Sequence, residues 1–349
     1  MNKVRFGLNL LTSKITKQKI PFQVNIHLND VCNLRCKYCY IDFDNASKDM
    51  PLPALKKILK DARSLGAERI SLEGGEPLLR KDIGEIVDAI SSLGMASNIN
   101  TNGYVLPHRI QQLKNLDLLS VSLDGDQTIH DQLRGKGSFQ KAINAIDLAK
   151  KHNIKVHVLS VLTKVNRSSI DFMLNLAKEK GAQFVPNTLF FNVHEKYRDY
   201  EKEKEYIMTD EENRELFKML LSKKKKGAPI VWSSQTLKYL MTWPKSYNEK
   251  SNMLKGEVPF SNTWKPVKCT AGNHFCVIQT NGNLYTCDPL LGHGPHLNCF
   301  ELGFKEAYRR LSIGDCVACT SAVCTEYHHL FGLKVPVVWN LMKHYGKST

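Results

Sequence analysis

The chain has 349 residues, 42% hydrophobic and 24% charged, an ordinary globular composition with room for one large core and a smaller one. No apolar run reaches the roughly 18 residues that a membrane-spanning helix needs, and apolar residues are too evenly spread for a disordered chain. Forty-nine lysines and arginines against 34 acids give a net charge of +15. That excess favours an anionic partner, such as a nucleic acid, an acidic peptide, a phosphorylated metabolite or an anionic membrane surface.

In chain order, residues 1–20 read as a basic, partly amphipathic lead-in with Lys3, Arg5, Lys14, Lys17 and Lys19 and no acid. It lacks the compact apolar core and cleavage site of a signal peptide. From 21 to 194, short apolar runs at 22–28, 70–72, 95–99, 118–123, 156–162 and 184–191 alternate with amphipathic stretches near 53–66, 81–94, 107–115, 138–152 and 168–180. This alternation predicts right-handed βαβ crossovers and a parallel sheet covered by helices. Six such units predict an α/β fold curved as a partial (β/α)6 TIM-like barrel, with chemistry at the C-terminal ends of the strands. An open doubly wound sheet has the same periodicity.

Residues 195–264 form a charged connector, in which Thr209 and Glu212 make a capping box for a helix that Gly227 and Pro229 stop. From 265 to 328, cysteines, glycines and short turns predict a small cysteine-rich domain. The tail, 329–349, is apolar and basic, with Leu330, Phe331, Val337, Val338 and Trp339 beside Lys334 and Lys343.

Ten cysteines without a secretory signal point to a reducing, cytoplasmic compartment, where thiols more often bind metal than form disulfides. They are segregated: three lie at 32–39, seven at 269–324, and none between. Packing cysteines would be scattered. Cys32, Cys36 and Cys39 are spaced Cys-x3-Cys-x2-Cys on one loop after the first strand, with no fourth cysteine near. A structural zinc site wants four protein ligands, whereas a cubane iron–sulfur cluster accepts three thiolates and leaves one iron open.

This loop, with Tyr38 just before its third cysteine, resembles the signature of the radical S-adenosylmethionine (radical SAM) superfamily. Glu73-Gly74-Gly75-Glu76-Pro77-Leu78 matches that family's GGEP stretch after the second strand. Ser120-Val121-Ser122-Leu123-Asp124-Gly125, followed by His130-Asp131-Gln132-Leu133-Arg134-Gly135, resembles the subgroup of anaerobic sulfatase-maturating and peptide-modifying enzymes. The resemblance implies a [4Fe-4S] cluster on Cys32, Cys36 and Cys39, and SAM chelating its open iron. It places Gly74, Gly75, Glu76 and Pro77 at the SAM amino group and Ser122 and Arg134 at its carboxylate. Asn102 and Leu162 fall near the nucleoside, and Tyr38 and Asp124 complete the cofactor-binding set.

The downstream cysteines resemble the SPASM or twitch extensions of that subgroup, which hold auxiliary iron–sulfur clusters. By that resemblance Cys269, Cys276, Cys287, Cys316, Cys319 and Cys324 ligate one or two such clusters. The match is incomplete: Cys299 is extra, and His328 stands where a further cysteine belongs. Either one cluster is kept, or a second uses His328, Cys299 or a substrate atom; a zinc site at Cys316-x2-Cys319 is the competing reading. Asp288 matches the general base of the sulfatase-maturating enzymes, though an acid there also caps turns.

The implied activity is reductive cleavage of SAM to a 5′-deoxyadenosyl radical that abstracts hydrogen from substrate, with a flavodoxin or ferredoxin as electron donor. Peptide or protein modification is the leading expectation for the substrate. The apolar and basic termini raise a membrane lipid or isoprenoid as the alternative, with peripheral membrane contact; the same residues would serve to cover the barrel edge. An iron–sulfur electron-transfer protein or a zinc-type nucleic-acid binder is the reading from a different class. The GGEP and SVSLDG matches argue against both, because neither needs a SAM cradle.

Overall fold

The computed structural model describes residues 3–41, 43, 49–189, 204–248, 264–312, 318–334, 336–338 and 340. Helix α1, Lys3–Thr16, precedes strand β1, Gln23–His27. Then α2 (Leu52–Ser64), β2 (Arg69–Glu73), α3 (Ile83–Ser92), β3 (Ala96–Thr101), α4 (Leu106–Arg109) and β4 (Leu118–Ser122) alternate. They are followed by α5 (Gln127–Arg134), α6 (Ser138–Lys151), β5 (Lys155–Leu162), α7 (Ile170–Glu179) and β6 (Gln183–Thr188). The six apolar runs are therefore the six strands. Helix α5 lies outside the amphipathic stretches read from the sequence; Asp126 caps it by accepting from the Thr128 and Ile129 amides.

Helix α2 shows why the sequence winds this way. Pro51 and Pro53 bracket its start, where a missing N–H costs nothing, and Leu55, Ile58, Leu59 and Ala62 fall at helical spacing on the face against the sheet. All four are buried, each large one contributing roughly 1.5–3 kcal/mol.

The sheet order is β6-β5-β4-β3-β2-β1-β7-β8, where β7 is Phe275–Ile278 and β8 is Leu284–Tyr285. Strands β1 to β7 are parallel and β8 is antiparallel to β7. The cysteine-rich part thus donates strands to the barrel sheet itself: Gln23 pairs with Phe275 and Ile26 with Ile278. Helix α8, Asp210–Lys225, carries the Thr209–Glu212 capping box and ends before Gly227. The charged run 195–203 and Trp339, Leu341 and Met342 of the tail lie outside the described residues.

The helix-facing side of the sheet is apolar, and the concave side mixes polar and apolar residues. Val24, Ile26, Ile70, Leu72, Ile99, Leu119, Val121, Val156 and Val158 point to the helices. The alternate positions carry Asn25, Ser71, Asn98, Ser120 and His157 into the concave side. There Ser71 Oγ donates to Glu73 Oε1 (3.0 Å), Asn98 Nδ2 to Ser71 Oγ (3.0 Å) and Ser120 Oγ to Asn98 Oδ1 (2.9 Å). The lumen is a hydrogen-bonded polar ladder.

Candidate active site and thiol centres

The loop after β1 turns back on itself: the Cys39 amide donates to Cys36 O (3.1 Å), and the Lys37 amide to Leu133 O of α5 (3.0 Å). Its three thiols face one cavity of about 230 Å³, shared with Glu76, Asn102 and Arg134. Burial pushes the Cys39 thiol up to about 11 and raises Cys32 and Cys36 as well. Thiols that lose their protons in such a place need a positive centre beside them. A three-thiol donor set facing a cavity, with no fourth thiol in the loop, fits a cubane with one open corner.

The glycines of the GGEP stretch serve a closer purpose than approach to a ligand. The Gly75 amide donates to Asn29 O (2.8 Å) and the Glu76 amide to Val31 O (2.9 Å), so this stretch is laced to the start of the cysteine loop. A Cβ on Gly74 would lie 2.3 Å from Asn29 O, and one on Gly75 would lie 2.2 Å from Val31 O. Gly74 also has φ +134°. Glu76 is buried and ties the loop to β3: Oε1 accepts from Thr101 Oγ1 (2.7 Å) and the Leu78 amide (3.0 Å), and Oε2 from the Asn102 amide (2.8 Å). Burial raises its pKa to about 6 against the pull of these donors.

Beneath the cysteines Asp124, fully buried, accepts hydrogen bonds from Tyr38 Oη and Arg134 Nε on one oxygen. Its other oxygen accepts from Ser160 Oγ (3.2 Å) and the Val161 amide (3.0 Å). Burial opposes ionisation of Asp124, but the Arg134 guanidinium and these donors hold its pKa below the usual range. Arg134 Nη1 reaches to 3.9 Å from Cys36 Sγ. His130 Nδ1 accepts from the Asp124 amide (3.0 Å); burial lowers its pKa to about 4, which keeps it the neutral acceptor this bond requires.

Most expected cofactor contacts meet at this cavity: Tyr38, Gly74, Gly75, Glu76, Asn102, Ser122 and Arg134 line it. Asp124 lies under it, and Pro77 is buried outside the lining. Leu162 requires correction. Strand alternation turns its side chain into the core, and Leu159 and Val161 line the cavity instead.

A second cavity, about 200 Å³, follows the polar ladder and shares Tyr40, Glu73, Asn100, Leu159, Asn187 and Thr188 with the first. Asp288 lies on its wall, with Oδ1 3.4 Å from His27 Nε2 and Oδ2 3.5 Å from Asn25 Nδ2. His27, Glu73 and Asp288 bring their ligand-type atoms within 4.8 Å of one another. Sequence reasoning passed over His27 and Glu73. Their signal is polar residues at the C-terminal ends of β1 and β2.

The downstream thiols sort into two groups. Cys269, Cys287, Cys319 and Cys324 share one cluster of buried side chains. The Cys324 thiol hydrogen-bonds with Cys287 and Cys319, an arrangement that raises the pKa of Cys287. Cys287, Cys319 and Cys324 are thus brought together, with Cys269 in the same buried group. Cys276 departs from the expected ligands: it follows Phe275 on β7, so it faces the other side of the sheet, into the main core beside Cys299. Burial pushes Cys299 up to about 12. Cys316 lies outside the described residues. His328 Nδ1 is taken up by the Thr270 amide (3.2 Å) and hydroxyl (3.1 Å).

The sheet is a partial parallel barrel with three thiols at the C-terminal end of its first strand. Residues 26–177 match the radical SAM superfamily model, so this part of the chain is a radical SAM domain. That match implies a [4Fe-4S] cluster and SAM.

Among curated proteins the chain is 30% identical to Fe-coproporphyrin III synthase of Methanosarcina barkeri over 52% of this chain and 46% of that one. It is 30% identical to GTP 3′,8-cyclase of Clostridium perfringens over 45% and 51%. The chain spans about half the length of the curated relatives it matches. Among solved structures, Streptococcus suis SuiB bound to S-adenosylmethionine superposes with TM-score 0.63 at 19% identity, covering 83% of this chain and 66% of that one. anSMEcpe with AdoMet bound gives 0.60 at 20%, covering 82% and 80%. These likenesses establish the fold.

Proposed function

We propose that the chain cleaves SAM reductively at the Cys32–Cys36–Cys39 loop and modifies a peptide or protein held in the polar lumen. The observation that carries this reading is the meeting of three thiols, the GGEP stretch and Arg134 at one cavity that shares walls with a second, polar one. A [4Fe-4S] cluster and SAM bound there supply one-electron cleavage of a carbon–sulfur bond and hydrogen abstraction from substrate. Ser122 and Arg134 hold the SAM carboxylate, the backbone of the GGEP stretch holds its ammonium, and Asn102 lies at the nucleoside.

In the lumen, Asn98, Asn100, Asn187, Ser120 and His157 line the second cavity with donors and acceptors. An isoprenoid or acyl chain would leave the buried Asn187 Oδ1, which has no hydrogen-bond donor, unsatisfied at about 1–3 kcal/mol. The lining therefore favours the peptide reading over the lipid one. That SuiB and anSMEcpe have been solved with peptides bound is in keeping with it. Asp288, positioned by His27 and Asn25, is the proposed general base. Cys269, Cys287, Cys319 and Cys324 hold one auxiliary cluster, next to that base in the chain.

A flavodoxin or ferredoxin is the proposed electron donor, and the +15 charge suits docking of such acidic proteins. Among the described residues no helix is long and apolar enough to cross a membrane, and a cytoplasmic site is proposed on the thiol content.

Anaerobic reconstitution with iron and sulfide, followed by dithionite and SAM, should give a brown protein that releases 5′-deoxyadenosine. Cys36→Ala should abolish that release. A colourless or zinc-loaded protein, or full activity in the variant, refutes the assignment. Iron analysis tests the auxiliary site: Cys324→Ala should lose about four irons per chain, whereas Cys276→Ala should keep the wild-type content. The reverse pattern would overturn the four-thiol grouping.

A further inference from the structure

Eight large apolar side chains are strongly exposed among the described residues, and four of them stand on α1: Val4 (72%), Leu8 (60%), Leu11 (54%) and Ile15 (73%). Their spacing of 4, 3 and 4 residues puts them in one stripe along the helix. The opposite face accounts for the folding of α1. Leu10 and Ser13 are buried there, and the Phe6 ring packs edge-on against Phe22 at 5.2 Å. Arg5 clamps the helix with a bidentate pair to Glu68, Nε to Oε1 at 2.6 Å and Nη2 to Oε2 at 2.8 Å. The core has therefore taken its face of α1, and the stripe is surplus to folding.

We propose that α1 is an interfacial helix that seats the enzyme on an anionic membrane surface through Val4, Leu8, Leu11 and Ile15. Charge selects this occupant. The first acid in the chain is Asp30, and Lys14 and Lys17 are exposed at the C-terminal end of the helix. Partial burial and the positive charge of Lys268 together hold the Lys14 ammonium below its usual pKa, so two cations gather there. Each lysine near an anionic leaflet adds about 1 kcal/mol of attraction, and an apolar helix face settles ~5–10 Å into the headgroup boundary. A second copy of this chain would bring the same cations against themselves.

The seating fixes an orientation. Phe22, Glu68 and Gly94, which hold α1, all precede strands β1, β2 and β3, whereas the cysteine loop and Glu76 follow β1 and β2. A chain docked on α1 turns its SAM cavity away from the bilayer and takes substrate from the aqueous side. That orientation rests on the proposed site; the docking does not.

The test is flotation of the full-length reconstituted enzyme with vesicles of phosphatidylglycerol or of phosphatidylcholine. The chain should float with the anionic vesicles at low salt, lose them as salt rises, and float little with the neutral ones. Leu8→Glu combined with Leu11→Glu should cut the bound fraction at least about tenfold while melting temperature and 5′-deoxyadenosine release stay at wild-type values. Lys14→Glu should weaken binding to the anionic vesicles. No flotation at low salt, or equal flotation of the double variant, overturns the proposal. A wild-type dimer that the double variant converts to monomer, without vesicle binding, assigns the stripe to a second copy and overturns it too. Loss of SAM cleavage in the wild type with flotation intact would sink the proposed activity and leave the docking standing.

Discussion

Asp124→Ala is expected to destabilise the chain by about 3–5 kcal/mol and to abolish SAM cleavage, although Asp124 lies outside the lining of the cysteine-loop cavity. The carboxylate collects Tyr38, Arg134, Ser160 and the Val161 amide, and it is fully buried. Removing it strands a guanidinium that is 10% exposed and, among the described residues, pairs with no other acid. The same removal frees Tyr38, one residue before Cys39, and Arg134, whose neighbour Leu133 receives the Lys37 amide. The cysteine loop therefore loses its Tyr38 anchor, and the end of α5 that receives the Lys37 amide loses the Arg134 brace. A double-mutant cycle by urea denaturation separates these parts. Arg134→Met on the Asp124→Ala background should recover much of the loss, because the unpaired charge goes with it. Strict additivity of the two substitutions would show that no buried ion pair braces the loop. Ser160→Ala, which removes one neutral hydrogen bond, should cost only about 1 kcal/mol.

The second large effect is expected at Gly75. A methyl group there meets Val31 O at 2.2 Å and Val31 C at 2.5 Å, both backbone atoms that no rotamer change can move. Gly75→Ala should push the cysteine loop off β2, cost ~3 kcal/mol or more, and lower the iron retained after reconstitution by the equivalent of one cluster. Gly7 is the control. It lies on α1, where an added methyl would have nothing within 4 Å, so Gly7→Ala should leave iron content unchanged and stabilise the chain by about 0.5–1 kcal/mol. Thermal melts and iron assays on the two variants decide the matter. Equal iron content in both would mean that the loop tolerates displacement.

The barrel was legible because its buried strands are short apolar runs separated by amphipathic helices, and β1 to β6 fall on those runs. The SAM cavity was legible because three cysteines and a glycine pair carry their spacing in the chain. The rest was hidden for geometric reasons. Cys269-x6-Cys276 looks like one ligand pair, yet the faces of β7 alternate, and Cys276 goes into the core while Phe275 packs with the thiol group. Leu162 was misplaced by the same parity. Polar residues at every second position of β2, β3 and β4 (Ser71, Asn98, Asn100, Ser120, Ser122) do announce the lumen, once one expects a sheet with one wet face. The pairing of β1 with β7 has no local signal, since about 250 residues separate the partners.

That last pairing governs how the molecule is made. Strand β1 emerges first from the ribosome but meets its outer neighbour only when residues 275–278 have been synthesised. Until then the side of β1 away from β2 is a row of open amides and carbonyls, and joining such distant segments is slow. The nascent barrel thus passes through a sticky adolescence, and a chain cut off before β7 should be caught by chaperones or precipitate, however complete its cysteine loop.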